Sequence, residues 1–384
     1  MKERGTTIML VSGVIGIGNA GSQVASLAVS EQMDAVVINS SENDLSTIPD
    51  NVIKFPLGDL RGAGKNREEA KKFLKDSIKK ILQTDEFVEF MDKKDVIFVV
   101  SSTGGGTGSG ISPILTQILK KMFPDSYVIL VGILPTLDEA YSTQINTLEY
   151  IQELYKKLDN PTYMLYDNDR MKNLPSHLMM ESINKAIVED IKVLQGTYNY
   201  TTKYSSIDEK DMSMIISTSG RIVVASYTNI KEKDLDNCSI DEKLVQLLKT
   251  GAHAELQLDK VIKRSGVIAD LSPSMVSNFD EHLSELQKVV GAPVEEFSHI
   301  AINSEKTLPN NVYFIGAGLS PINDRIEKIN ERVQEIESMQ DVDNVDEDVF
   351  SIDLEKANIK REYKKTQVDK TVDLNSIFDD FMKF

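Results

Sequence analysis

Ten residues, Ser101-Ser-Thr-Gly-Gly-Gly-Thr-Gly-Ser-Gly110, carry the most explicit chemistry in this chain. Asp95–Val100 before them is a short buried-strand pattern. Ile111, Ile114, Leu115, Ile118, Leu119 and Met122 after them follow helical spacing. The run therefore joins a strand to a helix N-terminus, where unpaired N–H groups and the positive end of the helix dipole attract anions. Gly104, Gly105, Gly106 and Gly108 let backbone approach a polyphosphate, and Thr107 and Ser109 add hydroxyl donors. Regular apolar flanks argue against a flexible linker. A Walker-type loop does not fit either: no Lys follows within Gly104–Gly110. Gly64-Lys65 is followed by Asn66, and Asp59 stands where the leading Gly is needed.

Gly16-x-Gly-x-x-Gly21 is a second glycine pattern behind a strand. It also fits a dinucleotide fingerprint, so an NAD-linked Rossmann oxidoreductase is a rival reading. That fingerprint expects Asp or Glu about 20 residues on. Asn39 stands there instead, and Gly104–Gly110 is left without a purpose.

Gly104–Gly110 matches GGGTG[ST]G, the phosphate loop of the tubulin/FtsZ family, at every position. Further segments resemble that family's loops in order. Ile15–Gly21 is similar to the first, Asn39–Asp44 lies where the second belongs, and Gly62-Ala63-Gly64-Lys-Asn-Arg-Glu68 is similar to the third. Gly132–Glu139 is placed like the fifth loop and Tyr166–Asp169 like the sixth. The resemblance implies a GTP/GDP site on Gly16, Gly18, Asn19, Ala20, Gly21, Asn39 and the Gly62–Gly64 turn. Phosphate would rest mainly on N–H groups of Gly105, Gly106, Thr107 and Gly108. Glu139 would meet the ribose, and Asn168 and Asn184 the guanine edge. Mg2+ would be held by the phosphates and water, with no protein side chain ligating it. Two departures concern FtsZ: Thr143 stands where it has an arginine, and Lys185 where it has an aspartate.

Hydrolysis in this family uses a loop written NxDxxD. Ser206-Ile-Asp-Glu-Lys-Asp211 matches both aspartates, so Asp208 and Asp211 are the implied catalytic pair. They would act on a neighbouring subunit's nucleotide, because a long central helix carries them away from their own.

The elements that must position these groups alternate. Strand patterns at Ile8–Ile15, Ala35–Asn39, 95–100, Tyr127–Leu134 and Tyr163–Tyr166 intervene between helices at Ser22–Ser30, Arg67–Leu82, 111–122 and 141–158. This implies an α/β fold with a parallel sheet covered on both faces. A helix over 178–195, with Leu178, Ile183, Ile187, Ile191 and Leu194 on one face, would be the central helix. Strands at Met214–Ser217, Arg221–Tyr227, Ser265–Leu271, His299–Ile302 and Asn311–Gly316, with helices near 241–250, 254–263 and 279–290, suggest a second, α+β domain. The implied division is a GTP-binding domain at 1–177, the central helix at 178–197 and an activation domain at 198–320. A C-terminal helix at 321–340 and a flexible tail at 341–384 complete it.

Bulk properties set limits. The chain has 384 residues, 41% hydrophobic and 27% charged, with a formal net charge of −17. Such an acidic surface repels nucleic acid, so any action on DNA needs a basic adaptor. One cysteine, Cys238, fits a reducing cytoplasm, and no apolar run reaches a membrane span. Lys2 and Arg4 before an apolar stretch imitate a signal peptide, but Ser12, Gly13, Gly16 and Gly18 interrupt it.

Asp341–Phe350 is acidic, Lys360, Arg361, Lys364 and Lys365 are basic, and Leu374, Ile377, Phe378, Phe381 and Met382 form one helical face. An amphipathic terminus of this kind is expected to dock on a partner. It resembles the tails of the plasmid- and phage-borne partition tubulins, the TubZ branch, which engage a DNA-binding adaptor. The chain is thus expected to be a filament-forming GTPase that moves plasmid or phage DNA indirectly. An FtsZ-like division GTPase is the alternative.

Overall fold

The computed structural model describes residues 10–196, 207–256, 262–302, 309–340 and 373–382. Its first half runs β1 (Ser12–Ile17), α1 (Gly18–Ser30), β2 (Asp34–Asn39), α2 (Glu42–Ser46), β3 (Ile53–Pro56), α3 (Arg67–Ile81), α4 (Asp85–Met91), β4 (Val96–Ser102) and α5 (Thr107–Met122). Then come β5 (Tyr127–Leu134), α6 (Tyr141–Lys156), β6 (Thr162–Asp167), a 3-10 turn at Asn168–Met171 and α7 (Ser176–Leu194). The second half holds α8 (Glu209–Ile216), β7 (Gly220–Ile230), α9 (Glu232–Leu235), α10 (Ile240–Thr250), β8 (Arg264–Leu271), α11 (Pro273–Val276) and α12 (Phe279–Val290). It closes with β9 (Glu295–Ile302), β10 (Asn310–Leu319), α13 (Asn323–Gln340) and α14 (Leu374–Met382).

The strands form one ten-stranded sheet in the order β3-β2-β1-β4-β5-β6-β7-β10-β8-β9. From β3 to β6 every pair is parallel. Only two residue pairs, Thr162–Gly220 and Tyr163–Arg221, join β6 to β7. Beyond them β10 runs antiparallel to both β7 and β8, while β9 is parallel to β8. The expected parallel sheet and α+β second half are therefore present, but on one continuous sheet.

Strands buried on both faces carry near-continuous apolar runs, and β4 over Val96–Val100 and β5 over Val128–Leu134 read that way. Along β1, Ile15 and Ile17 face one core with α3, α5, α6 and α13, while Val14 faces the other with α1, α7 and α8. A third core lies between β7, β8 and β10 and helices α10 and α12.

Helix α7 crosses one face of the sheet. Ile183, Ile187, Ile191 and Leu194 are buried as expected, whereas Leu178, expected on the same face, is 41% exposed and Met179 turns inward instead. At its far end, Gln195 Nε2 donates to Ser12 Oγ (2.5 Å) and Gln195 O accepts from Leu10 N (3.1 Å), at the beginning of β1. One turn before that end, Asp190 Oδ2 accepts from Tyr166 Oη (2.7 Å) and lies 2.9 Å from His253 Nε2. Burial, and then Asp190, push the Tyr166 hydroxyl well above its ordinary range, so it stays a donor.

Two expected elements differ. Met214–Ser217, read as a strand, belongs to α8 and the turn that ends it. Asp208 and Asp211 form a capping box that starts a helix, and Met212, Ile215 and Ile216 then fall on one helical face. The helix expected at 254–263 is not formed at 254–256 or 262–263, and the intervening positions lie outside the described residues. So do the acidic run 341–350 and the basic cluster 360–365. Residues 374–382, expected within a tail, form α14 packed against the body of the chain. Among the described residues, no helix is long and apolar enough to cross a membrane.

A buried ion pair ties α13 to the end of β6. Arg325 Nε and Nη2 donate to Asp167 at 2.7 and 3.1 Å, and Nη2 also donates to Pro135 O at 2.7 Å. Asp167 in turn accepts from Asp169 N, fixing the start of the 3-10 turn. Removing one partner strands a buried charge, which costs about 3–5 kcal/mol, whereas an apolar pair of similar volume is tolerated. Arg325→Met should therefore lower unfolding stability by about that amount in urea titration. The double variant Arg325→Met/Asp167→Leu should recover much of it. Equal stability of the single variant and the unaltered chain would contradict this role.

Candidate nucleotide site

Every loop implicated by its glycines follows the C-terminal end of a parallel strand. Gly16 lies in β1, and Gly18, Asn19, Ala20 and Gly21 make the first turn of α1. Thr107, Gly108 and Ser109 open α5, so half of the glycine-rich run is helix rather than loop. Neither α1 nor α5 has a side-chain cap at its N-terminus. Their first N–H groups are therefore left for an anion.

These loops touch one another. A β-carbon at Gly18 would stand 3.0 Å from Gly108 N, which sets the first turns of α1 and α5 side by side. Ser40 Oγ and Thr107 Oγ1 are 2.7 Å apart, joining the loop after β2 to α5. Asn39 itself is buried. It donates to Asp44 (3.3 Å) and accepts from Ser41 N (3.2 Å), so its side chain braces its own loop. The buried hydroxyl of Ser109 donates back to Gly105 O, which closes the turn and leaves that oxygen little freedom to act elsewhere.

The turn at Gly62, Ala63 and Gly64 leads into α3, where Asn66 caps Glu69 N (3.1 Å). It packs onto the glycine run at Gly106: a β-carbon there would lie 2.8 Å from Lys65 Cα and 2.9 Å from Asn66 N. The absent side chain at 106 thus makes room for a neighbouring loop, rather than for a ligand alone.

Three side chains missed by motif reading hold this junction. Asn146 Nδ2, on α6, reaches Lys65 O (3.0 Å), Gly104 O (3.2 Å) and Gly105 O (3.3 Å). Lys65 Nζ donates to Thr143 Oγ1 at 2.7 Å, and Thr143 packs directly against Gly104. An ammonium therefore stands beside the glycine run even though no lysine follows it in sequence. Arg67, 3% exposed, donates to Ser109 O (3.1 Å), to Glu149 (2.8 Å) and to Glu153. The available signal was a polar stripe, Thr143, Asn146, Thr147 and Tyr150, at helical spacing on α6 where a core stripe would be apolar.

Farther along, Glu139 Oε1 accepts from Thr136 N (3.1 Å), and Leu137 N donates to Asp169 (3.2 Å), linking the loops after β5 and β6. Asn168 stands in the 3-10 turn with its Oδ1 buried and unbonded. Buried amide oxygens are seldom left so; this one fits an acceptor for a base donor. Asn184 is half-buried on α7, which packs against that turn.

Asp208 and Asp211 are not brought to this site. Asp208 accepts from Asp211 N (2.9 Å) and Asp211 from Asp208 N (3.1 Å), so both serve as helix caps. Ser206 lies outside the described residues. The end of α8 leads to Gly220, whose N–H donates to Pro161 O (2.9 Å) just before β6. That is the opposite edge of the strands from the glycine loops.

Asn146→Asp preserves size but replaces a donor by an acceptor facing three carbonyls. It should weaken binding of a fluorescent GTP analogue by about tenfold or more, since each lost bond is worth ~0.5–1.5 kcal/mol. Gly106→Ala should do likewise by displacing the Lys65–Asn66 backbone. Unchanged affinity in both folded variants would refute the loop junction.

Comparison with known proteins agrees with this geometry. Residues 12–176 match the model of the tubulin/FtsZ family, GTPase domain. The tubulin-like protein CetZ of Pyrococcus furiosus is 31% identical over 226 residues, 56% of this chain and 60% of that protein. The tubulin-like protein TubZ of Clostridium botulinum C phage is 22% identical over 387 residues, 95% of this chain and 98% of that protein. A GTPγS-form protofilament of Bacillus thuringiensis serovar israelensis TubZ shares the fold with TM-score 0.72 at 17% identity, covering 88% of this chain and 94% of that one. Residues 12–176 thus match the GTPase domain of the tubulin/FtsZ family, and the chain shares the fold of solved structures from that superfamily.

Proposed function

We propose that this protein binds GTP at the glycine loops, polymerises head to tail, and hydrolyses the nucleotide at sites shared between successive subunits. The supporting observation is the separation of the two halves of the chemistry. The loops lie at one end of the parallel strands. The acidic turn follows α7, whose 19 residues span roughly 28 Å toward the other end. Stacking subunits bring one chain's Asp208 and Asp211 to its neighbour's γ-phosphate, where a carboxylate can orient the attacking water. Such a heterologous contact does not close, so it propagates as a filament. The protofilament form of Bacillus thuringiensis TubZ supports this arrangement by analogy.

Within the site, N–H groups at the starts of α1 and α5 bind phosphate, Glu139 meets the ribose, and Asn168 and Asn184 read the base. Lys65 offsets γ-phosphate charge from the position its ammonium holds at Thr143. Mg2+, carried on the phosphates and water, would add charge neutralisation when bound. Among the described residues no cluster of three or more His, Cys, Asp or Glu forms a metal site.

The cargo we propose is plasmid or phage DNA, attached through a basic DNA-binding adaptor, since the chain itself is strongly acidic. Similarity to the phage TubZ along nearly the whole of both chains supports this reading. Higher identity to CetZ proteins, 31% over 56% of the chain and 27% over 73% of it, favours a second reading, a CetZ-like filament with another cargo or none. Capture of an adaptor–DNA complex by purified filaments separates the two. Because Ile377, Phe378 and Phe381 are buried on their own chain, an adaptor using that face must first displace α14.

Asp208→Asn and Asp211→Asn test the shared site better than alanine, since Asn caps helices about as well as Asp. Each should bind GTP and form filaments visible by electron microscopy, with hydrolysis reduced at least about a hundredfold. Full hydrolysis by both would refute the assignment. Lys65→Met should weaken GTP binding more than GDP binding, because only GTP places charge at the γ position. Equal losses for the two nucleotides would place Lys65 elsewhere.

A further inference from the structure

Helix α14 is seated on α3 and α5, with Ile377, Phe378 and Phe381 each no more than 2% exposed. The surface that receives it is basic. On the face of α3 that receives it stand Lys71, Lys75 and Lys79, while the terminal segment carries Asp373, Asp379 and Asp380. Lys75 Nζ stands 6.0 Å from the Phe378 ring centroid and Lys157 Nζ 5.6 Å from that of Phe381. Both are within cation–π range. Lys71 and Lys157 each donate to Phe381 O at 3.3 Å.

Lys71 is fully buried, and its ammonium also pairs with Glu153 (2.9 Å) and Glu68 (2.6 Å). Glu153, equally buried, is shared with Arg67, and Arg67 donates to Ser109 O at the start of α5. A continuous chain of charge-assisted bonds thus runs from the glycine run through Arg67, Glu153 and Lys71 to the backbone of Phe381. Ion pairs this deeply buried depend on their partners, because withdrawing one leaves an uncompensated charge. A shift of the Ser109 carbonyl must be answered at Glu153, and then at Lys71.

We propose that the groove on α3 and α5 is a binding site for the chain's own C-terminal helix, and that its occupancy is linked to the nucleotide. With nucleotide bound, the glycine run is held in the arrangement that keeps Ser109 O on Arg67, and α14 docks more tightly. Without nucleotide the run loosens, Arg67 loses the Ser109 carbonyl, its hold on Glu153 weakens, and α14 docks less tightly. Because linkage is reciprocal, docking of α14 must tighten nucleotide binding by the same factor. This rests on the proposal that the glycine loops bind GTP.

Two measurements on the full chain, below its assembly concentration, test it. Hydrogen exchange of residues 374–382 should slow about fivefold or more when GTPγS is added. The double variant Phe378→Ala/Phe381→Ala, which undocks α14 but leaves Arg67, Glu153 and Lys71 in place, should bind the analogue weaker by a similar factor. A chain ending at residue 372 should match that double variant. Lys71→Gln should abolish the difference between full-length and shortened chains. If GTPγS binds yet exchange at 374–382 is unchanged, and the undocked variant binds equally well, the linkage is refuted. If GTPγS does not bind the full chain at all, the nucleotide assignment itself fails, which is a distinct result.

Discussion

Parallel strand pairing is the constraint on which the rest of this molecule depends. It sends the loops after β1, β2, β4, β5 and β6 to one end of the sheet, where backbone donors and short polar side chains meet. It also obliges the chain to return across a face, and α7 makes the longest return, ending on Ser12 at the start of β1. The acidic turn beyond α7 therefore faces away from the glycine loops. Under the proposed function, bringing the acidic turn and the glycine loops into one catalytic centre requires a second molecule, and the head-to-tail filament follows from that geometry.

Buried charges locate the parts that must not move. Asp167 and Arg325 fix the 3-10 turn bearing Asn168 and pin α13 to the same edge. Asp190 joins β6, α7 and the segment around His253, which lies stacked 4.5 Å from the Tyr166 ring. Arg67, Glu153 and Lys71 tie the glycine run to α3, α6 and α14. Each network spans elements distant in sequence. Buried ion pairs contribute less to net stability than apolar packing of the same volume would. Their consequence here is positional: they hold the glycine run to α14, and the end of β6 to α7 and α13.

Much of the first half was legible in the sequence because parallel strands announce themselves as unbroken apolar runs between helices of clear period. The glycine motif located its loop, although α5 begins at Thr107 within it. The second half was harder. Met214-Ile-Ile-Ser reads as a strand until Asp208 and Asp211 are recognised as a cap, which places the same apolar residues on a helix. Asn146 belongs to no glycine motif, and Lys65 and Arg67 occupy the variable positions of the third loop's. Their importance arises from carbonyls brought within reach by folding, a relation that spacing along one helix only hints at. For α14 the apolar face was plain in Phe378 and Phe381, but its site on α3 and α5 depends on lysines some three hundred positions earlier.

Hydrolysis rate against protein concentration is the most direct measure of the shared site. With saturating GTP, the account predicts negligible turnover below a threshold, then a rise coincident with filament formation by light scattering. A rate proportional to concentration from the most dilute samples upward, with the same turnover per molecule before and after assembly, would contradict it.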